Sequence, residues 1–181
     1  MKLFGSSVSP FVRKVLIYAA ERGLRLENIA VSPHQDEAGF RGVSPLGKIP
    51  ALQDGEYNLA DSSAIIHYLE AKYPNGGLIP ADPELRGTAI WYEEFADTEL
   101  YALITVIFVN RALLPKLMKV PGDEEKAAEA EKQLPPLLHY LERVVPMEGY
   151  LVGTSLSLAD IAVATQLINL GHGGVQLDAD T

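Results

Sequence analysis

The sequence has no cysteine among its 181 residues. Disulfide bonds, thiolate metal sites and Cys-x-x-Cys redox chemistry are therefore excluded. No apolar run reaches the ~18 residues that a membrane-spanning helix needs, because the longest one, Leu100 to Val109, is interrupted by Thr105. The start of the chain, Met1 to Gly5, lacks the long apolar core of a signal peptide. We therefore expect a strand at this end and a cytoplasmic protein.

Positive charge is also scarce. The chain carries 15 Lys and Arg residues against 24 Asp and Glu residues, a formal net charge of −9. Nucleic acids and anionic membranes need a basic face on the protein, so we expect neither as a partner. The composition, 48% hydrophobic and 22% charged, is that of a soluble protein. The length fits one large or two small domains.

Strand and helix patterns alternate in the first eighty residues. A helix is predicted to begin at Pro10, with Ser9 as its cap, and to stop at Gly23. The other predicted elements are strands at Lys2 to Gly5 and Leu24 to Val31, a short helix or irregular loop at Asp36 to Arg41, a hairpin of Ala51 to Gln53 with Tyr57 to Ala60, and a helix capped by Asp61-Ser62-Ser63 that ends near Tyr73. This order predicts a small mixed sheet with helices on its faces. Asn75 to Pro83 is a linker by composition.

Helical patterns dominate from Glu84 onward. The apolar residues between Ile90 and Leu114 predict one long helix or a kinked pair, closed by Pro115 or Pro121. A second helical stretch is predicted from Asp123 to Arg143, with a bend or split at Pro135-Pro136. A capping box at Ser157-Leu158-Ala159-Asp160 is predicted to start a last helix, which runs to about Leu170 and ends at Gly171.

The segment from Ser44 to Pro50 has two prolines around a glycine and a lysine. Pro50 leads into an apolar run, where proline is confined to the first residue, an edge or a bulge of a strand. Only about 5–6% of X-Pro bonds are cis, so two interpretations stay open for Ile49-Pro50. One is an ordinary loop that enters a strand. The other is a cis-proline loop that turns the backbone of Ile49 outward, where it could pair with an extended peptide.

Four stretches, in this order along nearly the whole chain, together resemble the glutathione transferase family. They are Ser9-Pro10-Phe11-Val12-Arg13-Lys14-Val15, Pro45 to Leu52, Asp61-Ser62-Ser63-Ala64-Ile65, and Tyr150-Leu151-Val152-Gly153 through Asp160. The resemblance implies an α/β plus all-α protein, with a thioredoxin-like domain at 1–78 and an all-helical domain at 85–181. It also implies a homodimer, with glutathione as cosubstrate and no permanently bound cofactor.

The sequence departs from the family pattern in two places. Asp61 stands where the family more often has Glu or Gln. The family usually continues beyond the position of Thr181 through further helices that wall the second-substrate site, so the C-terminal part of the helical domain is expected to be short or missing.

The resemblance implies glutathione contacts at six residues: Phe11, Lys48, Ile49, Pro50, Asp61 and Ser62. Asp61 would pair with the γ-glutamyl ammonium, and Ser62, at a helix start, would offer its hydroxyl and N–H to the carboxylate. Ile49 would meet the cysteinyl backbone like an added strand, and Lys48 would pair with the glycyl carboxylate. Three of these residues have a plainer interpretation. Asp61 and Ser62 could do no more than cap a helix, and Lys48 could be a solvated surface lysine.

The thiol contact is assigned to a serine. A free thiol has a pKa near ~8.5, and a hydroxyl donor favours the thiolate. Ser6, Ser7 and Ser9 compete for this role. Ser9 is preferred because it lies beside the first helix and precedes Pro10, although it could merely cap that helix; Ser7 is the next candidate. Tyr18 fits less well because it falls inside the helix.

No metal site is predicted, since His34, His67, His139 and His172 are scattered. A stripe of Tyr101, Ile104 and Phe108 could line an apolar pocket, but such stripes more often belong to a core.

The predicted function is therefore a glutathione transferase that activates the thiol for attack on a small electrophile, as in detoxification. Two alternatives remain: a glutathione-dependent peroxide reductase and a non-catalytic glutathione-binding or interaction module.

Overall fold

A computed structural model describes residues 1–32 and 40–176. Contacts between Cα atoms divide the chain into two compact units, Met1–Ile79 and Pro80–Thr181. Most of the segment predicted at Asp36 to Arg41 lies outside the described residues.

Unit 1 is a four-stranded mixed sheet with helices. Its elements are β1 (Lys2–Phe4), α1 (Pro10–Glu21), β2 (Glu27–Ile29), α2 (Phe40–Val43), β3 (Ala51–Asp54), β4 (Tyr57–Ala60) and α3 (Ser62–Lys72). The strand order is β2-β1-β3-β4. β1 pairs in parallel with β2 and antiparallel with β3, and β3 and β4 form an antiparallel hairpin. The predicted thioredoxin-like arrangement is confirmed, although β2 is shorter than the alternating run from Leu24 to Val31.

The core of unit 1 explains why these segments fold together. Leu3 and Leu52 on neighbouring strands are fully buried. Helix α1 contributes Val12 and Val15, spaced to lie on one helical face, and α3 contributes Ile65 with two further buried residues of that helix, Ile66 and Leu69. Burying each such side chain contributes roughly 1.5–3 kcal/mol.

Arg22, at the end of α1, and Glu70, in α3, connect the two helices to each other and to the segment after α3. Arg22 Nη1 lies 3.4 Å from Glu70 Oε1, and the side chains are only 4% and 14% exposed. Arg22 also donates to the Tyr18 hydroxyl at 2.6 Å and to the Asn75 carbonyl at 2.9 Å. Glu70 accepts the backbone N–H of Leu78 at 2.7 Å. Removal of one charge would therefore leave the other buried with its partner gone.

We expect Arg22→Met, which keeps an apolar stem but removes the guanidinium, to lower the free energy of unfolding of unit 1 by about 3 kcal/mol. Hydrogen–deuterium exchange at the amides of α1 and α3 would measure this as faster exchange. Arg25→Met, at an exposed position, is the matched control and should cost less than about 0.5 kcal/mol. Equal exchange in the two variants would contradict the expectation.

Unit 2 is entirely helical in its described part. Its helices are α4 (Pro83–Met118), α5 (Glu124–Lys132), α6 (Pro135–Val144) and α7 (Leu158–His172). The long α4 includes two π-helical segments, Ala96–Leu100 and Val109–Met118. Of the predicted alternatives of one long helix or a kinked pair, the structure has one long helix, and the predicted bend or split at Pro135-Pro136 is a split.

The sequence predicts that Pro115 or Pro121 closes the long helix, and the structure agrees with Pro121, which lies two residues after the end at Lys119. Pro115 does not end α4, because it lies in the π-helical segment. The wider turn of that segment relieves the clash between the proline ring and the backbone carbonyl one turn earlier. The helix ends at Lys119, which has the left-handed φ of 58°. Gly171 does not end α7 either; the end comes at Gly173, where a Cβ would lie only 2.8 Å from Ile107 Cγ2.

The core of unit 2 runs along one face of α4. Leu100, Ile104 and Ile107 are fully buried and cluster with Leu134 and, from α7, Leu170. By length and composition, α4 could also span a membrane, a test that core helices of soluble proteins pass as well. We assign it to the core because of this packing. Of the predicted stripe, Ile104 and Phe108 are buried and Tyr101 is half-buried.

The predicted capping box starts α7 and also holds the preceding loop. The Asp160 carboxylate accepts the N–H of Ser157 at 2.9 Å and its hydroxyl at 2.8 Å. Its other oxygen accepts the N–H of Leu151 at 2.8 Å. One carboxylate therefore fixes both the helix start and the chain that leads to it.

We expect Asp160→Ala to lower the free energy of unfolding of unit 2 by about 3 kcal/mol, because three donors lose an ionised acceptor. Ser157→Ala should cost only about 1 kcal/mol, because the Asp160 contacts to backbone N–H groups survive. Denaturant unfolding followed by the fluorescence of Trp91, the single tryptophan, would measure both, with Thr154→Ala in the exposed part of the loop as control. A Ser157→Ala loss as large as that of Asp160→Ala would contradict this ranking.

Candidate functional site

The strand register brings three segments of unit 1 to the same edge of the sheet. Phe4 at the end of β1 pairs with Ala51 at the start of β3, and Ala51 pairs with Ala60 at the end of β4. The turn after β1, the loop before β3 and the start of α3 after β4 therefore all emerge at this edge. These segments hold all the site residues that the sequence predicts.

The turn after β1 presents the candidate serines. Ser9 is the N-cap of α1, and its Oγ accepts the Val12 N–H at the long distance of 3.5 Å. Ser9 is half-buried, whereas Ser7 is exposed. Ser6 Oγ accepts the N–H of Val8 at 3.4 Å. The predicted cap is thus present, and its hydroxyl proton is not used by the contact with the helix.

Gly5 keeps the turn and the proline loop close together. Its φ is +145°, and a Cβ would lie 2.5 Å from Val12 Cγ2 and 3.2 Å from Ile49 Cβ. Any larger residue would therefore push α1 and the loop apart. Phe11, on the first turn of α1, is half-buried.

The Ile49-Pro50 peptide bond is cis, which decides the alternative that the sequence left open. Within the described part of the chain, no hydrogen bond engages the Ile49 backbone. The Pro50 carbonyl accepts the N–H of Asp61 at 3.3 Å, which joins the loop to the start of α3. The buried Ser44 hydroxyl donates to the Lys48 carbonyl at 2.7 Å, so the loop is held from inside while Lys48 is exposed.

Asp61 has a backbone conformation that few residues adopt. Its φ is +84° and its ψ is 132°, which lies outside the left-handed helical region where asparagine and aspartate are enriched. Its Oδ1 accepts the N–H of Ala64 at 3.0 Å, so Asp61 caps α3 and is also exposed. Conformations of this kind cost energy and cluster at functional sites. Ser62, the first residue of α3, is only 3% exposed.

Positive groups gather around this edge of an acidic chain. Lys14 of α1 is fully buried and donates to Ser63 Oγ at 3.3 Å. Arg13 donates to the Val8 carbonyl at 3.4 Å, and burial lowers the pKa of its guanidinium. The guanidinium of Arg41 lies against Gly47, where a Cβ would be 3.0 Å from Arg41 Cζ. An anionic ligand would therefore meet local cations here.

Tyr18 is a core residue. It is fully buried in α1, and Arg22 donates to its hydroxyl. Burial, and then the charge of Glu70, raise the pKa of the Tyr18 hydroxyl well above its usual value. Tyr18 lies inside α1, as the sequence predicts.

Across residues 1–32 and 40–176, no three acidic or histidine side chains are grouped so that they could hold a metal ion. His67, His139 and His172 lie on three different helices, and His34 lies outside the described residues.

Two family models match the chain. The glutathione S-transferase N-terminal domain matches residues 3–77, and the glutathione S-transferase C-terminal domain matches residues 96–170. The chain belongs to the glutathione S-transferase family. Both matched regions fall within the units described above, and together they include every predicted site residue.

Curated and solved relatives agree with this family. Glutathione S-transferase F10 of Arabidopsis thaliana is 30% identical over 165 residues, which cover 88% of this chain and 74% of the relative. Human glutathione transferase theta-2, solved in complex with glutathione and an unknown ligand, superposes with a TM-score of 0.79 at 27% identity, covering 92% of this chain and 70% of that one. Another relative carries a different name: the stringent starvation protein A homolog of Haemophilus ducreyi is 27% identical, covering 97% of this chain and 77% of the relative.

Sequence reasoning missed three features of this family member's site. The burial of Lys14, the placement of Arg41 against Gly47 and the positive φ of Asp61 were not predicted. The first two depend on contacts between segments far apart in sequence or on loop geometry. The third had no signal in the sequence, because the φ and ψ of Asp61, +84° and 132°, lie outside the left-handed helical region that aspartate tolerates.

Proposed function

We propose that this protein is a glutathione transferase that binds glutathione at the sheet edge of unit 1 and activates its thiol for attack on a small electrophile. The observation that carries this proposal is the register of Phe4, Ala51 and Ala60, because it gathers a capping serine, a cis-proline loop and an acidic helix cap. The serine offers a hydroxyl donor, the proline loop offers backbone groups, and the helix cap offers a carboxylate. Glutathione has a thiol, a cysteinyl backbone and a γ-glutamyl ammonium that match them in turn.

The binding roles follow from that chemistry. Asp61 keeps Oδ2 for the γ-glutamyl ammonium while Oδ1 caps the helix. The first turn of α3, with Ser62, offers N–H groups and a helix dipole to the neighbouring carboxylate. The backbone of Ile49 pairs with the cysteinyl residue as an added strand would, beside Pro50 and Phe11. Lys48, exposed at the end of the loop, attracts the glycyl carboxylate.

Ser9 stabilises the thiolate in this proposal. Its oxygen accepts from the helix, so its proton can be donated to sulfur, and the N-terminus of α1 adds a positive dipole end. The glutathione thiol loses its proton to solvent. The thiolate then forms a carbon–sulfur bond with the electrophile, and the leaving group departs with the electron pair of the broken bond.

Asp61→Asn should weaken glutathione binding by about tenfold, because it removes the charge that meets the ammonium. Asparagine tolerates positive φ and caps helices as well as aspartate does, so the free energy of unfolding should stay within about 0.5 kcal/mol. Calorimetric titration with glutathione measures the affinity, and Asp82→Asn, a cap at the start of α4, is the control. Unchanged affinity for Asp61→Asn would rule out the ammonium contact.

Ser9→Ala should raise the pKa of bound glutathione and lower turnover by ~10²–10³, the effect of removing a main donor to a developing or stabilised anion. Affinity should change little, because most contacts are made elsewhere along the ligand. A pH titration of the thiolate absorbance in the complex measures the pKa, with Ser7→Ala alongside. If Ser9→Ala titrates like the wild type and Ser7→Ala does not, the thiol contact belongs to Ser7.

A second candidate is a non-catalytic interaction module. It stays a candidate because one relative is named as a stringent starvation protein A homolog and not as a transferase. The two functions differ in one measurement, turnover of a panel of electrophiles and peroxides with glutathione. Binding without any turnover would favour the module.

We further propose a cytoplasmic homodimer, as in the family that the sequence resembles. Light scattering at micromolar concentration tests the assembly, and a monomeric mass would overturn it.

A further inference from the structure

Only one asparagine of the chain is followed by glycine: Asn75, near the end of unit 1, precedes Gly76. The two residues form a turn, and both are exposed. Among the described residues, no hydrogen bond engages the Asn75 side chain or the Gly76 N–H. Glycine also has no side chain that would shield its N–H from the amide carbon of Asn75. The side-chain amide and the backbone N–H that follows it are therefore both available for reaction with each other.

The other asparagines lack this combination, because each precedes a residue with a large side chain. Asn28, Asn58 and Asn110 also donate their side-chain amides to backbone carbonyls. Asn169 is buried in α7. A reaction between an asparagine side chain and the next backbone nitrogen should therefore concentrate at Asn75.

The backbone carbonyl of Asn75 is held by a cation whose side chain is only 4% exposed. Arg22 Nη2 donates to this carbonyl at 2.9 Å and also donates to the Tyr73 carbonyl. The guanidinium withdraws electrons from the peptide bond between Asn75 and Gly76, so the N–H of Gly76 loses its proton more readily. The same contact stabilises the oxyanion that forms when water attacks the carbonyl carbon.

We propose that Asn75 is a self-modifying site that converts to isoaspartate. The Gly76 nitrogen attacks the side-chain amide carbon of Asn75, a C–N bond forms, and ammonia leaves with the proton that the Gly76 N–H has lost. Water then adds to the backbone carbonyl of the resulting succinimide, which Arg22 polarises, and the bond from that carbonyl to the Gly76 nitrogen breaks. The former backbone carbonyl becomes a free carboxylate, and the chain continues through the side-chain carbons of Asn75.

The product changes the spacing between two anchors of this segment. The new carboxylate stands where Arg22 already donates, so a charge-assisted hydrogen bond replaces a neutral one. Farther along the chain, Glu70 Oε1 accepts the N–H groups of Leu78 at 2.7 Å and Ile79 at 3.1 Å. Isoaspartate adds a backbone atom between these anchors, where space is short because a Cβ on Gly77 would lie 2.2 Å from Glu70 Oε2. The contacts of Glu70 with the backbone should give way, because the contact with Arg22 becomes the stronger one.

Ageing of the purified full chain at neutral pH tests the modification. Peptide mass spectrometry should show, at Asn75, the mass gain of an amide that has become a carboxylate, and electron-transfer fragmentation should identify more isoaspartate than aspartate. Asn75→Gln should show no gain, because its longer side chain would have to close a less favourable ring. Asn28, Asn58 and Asn110 in the same digest are internal controls and should keep their mass.

The chain unfolded in urea is the reference for this experiment. No mass gain at Asn75 in the folded wild type would overturn the proposal, and a gain in urea would then show that the folded turn prevents ring closure. In Arg22→Met, the share of isoaspartate among the products should fall to that of the chain in urea, a ratio that does not depend on the rate of the reaction. An unchanged share would overturn the role of Arg22.

Hydrogen–deuterium exchange tests the consequence for the segment. The amides of Leu78 and Ile79 should exchange faster in aged than in fresh wild type, whereas aged Asn75→Gln should behave like the fresh protein. Asn75→Asp adds a negative charge without lengthening the backbone, so fresh Asn75→Asp should leave both amides unchanged. Unchanged exchange in the isoaspartyl form would overturn the proposed displacement. Equally fast exchange in fresh Asn75→Asp would overturn it as well, because the effect would then come from charge.

Discussion

The pairing of β3 with both β1 and β4 is the constraint on which the site depends. Because side chains alternate along strands, a shift of one residue would turn Leu52 from the core to the opposite face. The same shift would carry Pro50 and Asp61 away from the turn after β1. The hydrophobic core therefore fixes the relative position of three polar segments that make few direct contacts with one another. Stability and site geometry are set by the same register.

An acidic and a basic side chain lie near each other at this edge of the sheet, and each is held by a hydrogen bond. The Asp61 carboxylate is anchored to the first turn of α3, while Lys14 approaches the same turn from α1. The backbone strain at Asp61 is held by the Pro50 carbonyl on one side and by the helix on the other.

The sequence predicted the features that depend on neighbouring residues. Ser9 before Pro10, Asp61 before α3 and the box of Ser157 with Asp160 are local capping patterns, and each cap is present. The cis state of Ile49-Pro50 was left open, since sequence spacing does not determine it. The sequence leaves Pro115 and Pro121 open as the end of α4, because the π-helical turn that keeps Pro115 inside the helix depends on packing. The burial of Lys14 could not be predicted either, because it depends on contacts between segments that are distant in sequence, such as the one with Ser63.

The shortness of the Asp61 side chain has a consequence for which ligands fit. Aspartate has one methylene fewer than the glutamate or glutamine more often found at this position in the family, and its Oδ1 is already committed to Ala64. The remaining oxygen can move only by rotating about a fixed stem at a strained backbone position. The reach of the Asp61 carboxylate is therefore short, and a ligand amine must come close to the start of α3 to be held. The distance that this side chain accepts between a ligand amine and the start of α3 is therefore set by side-chain length and not by added contacts.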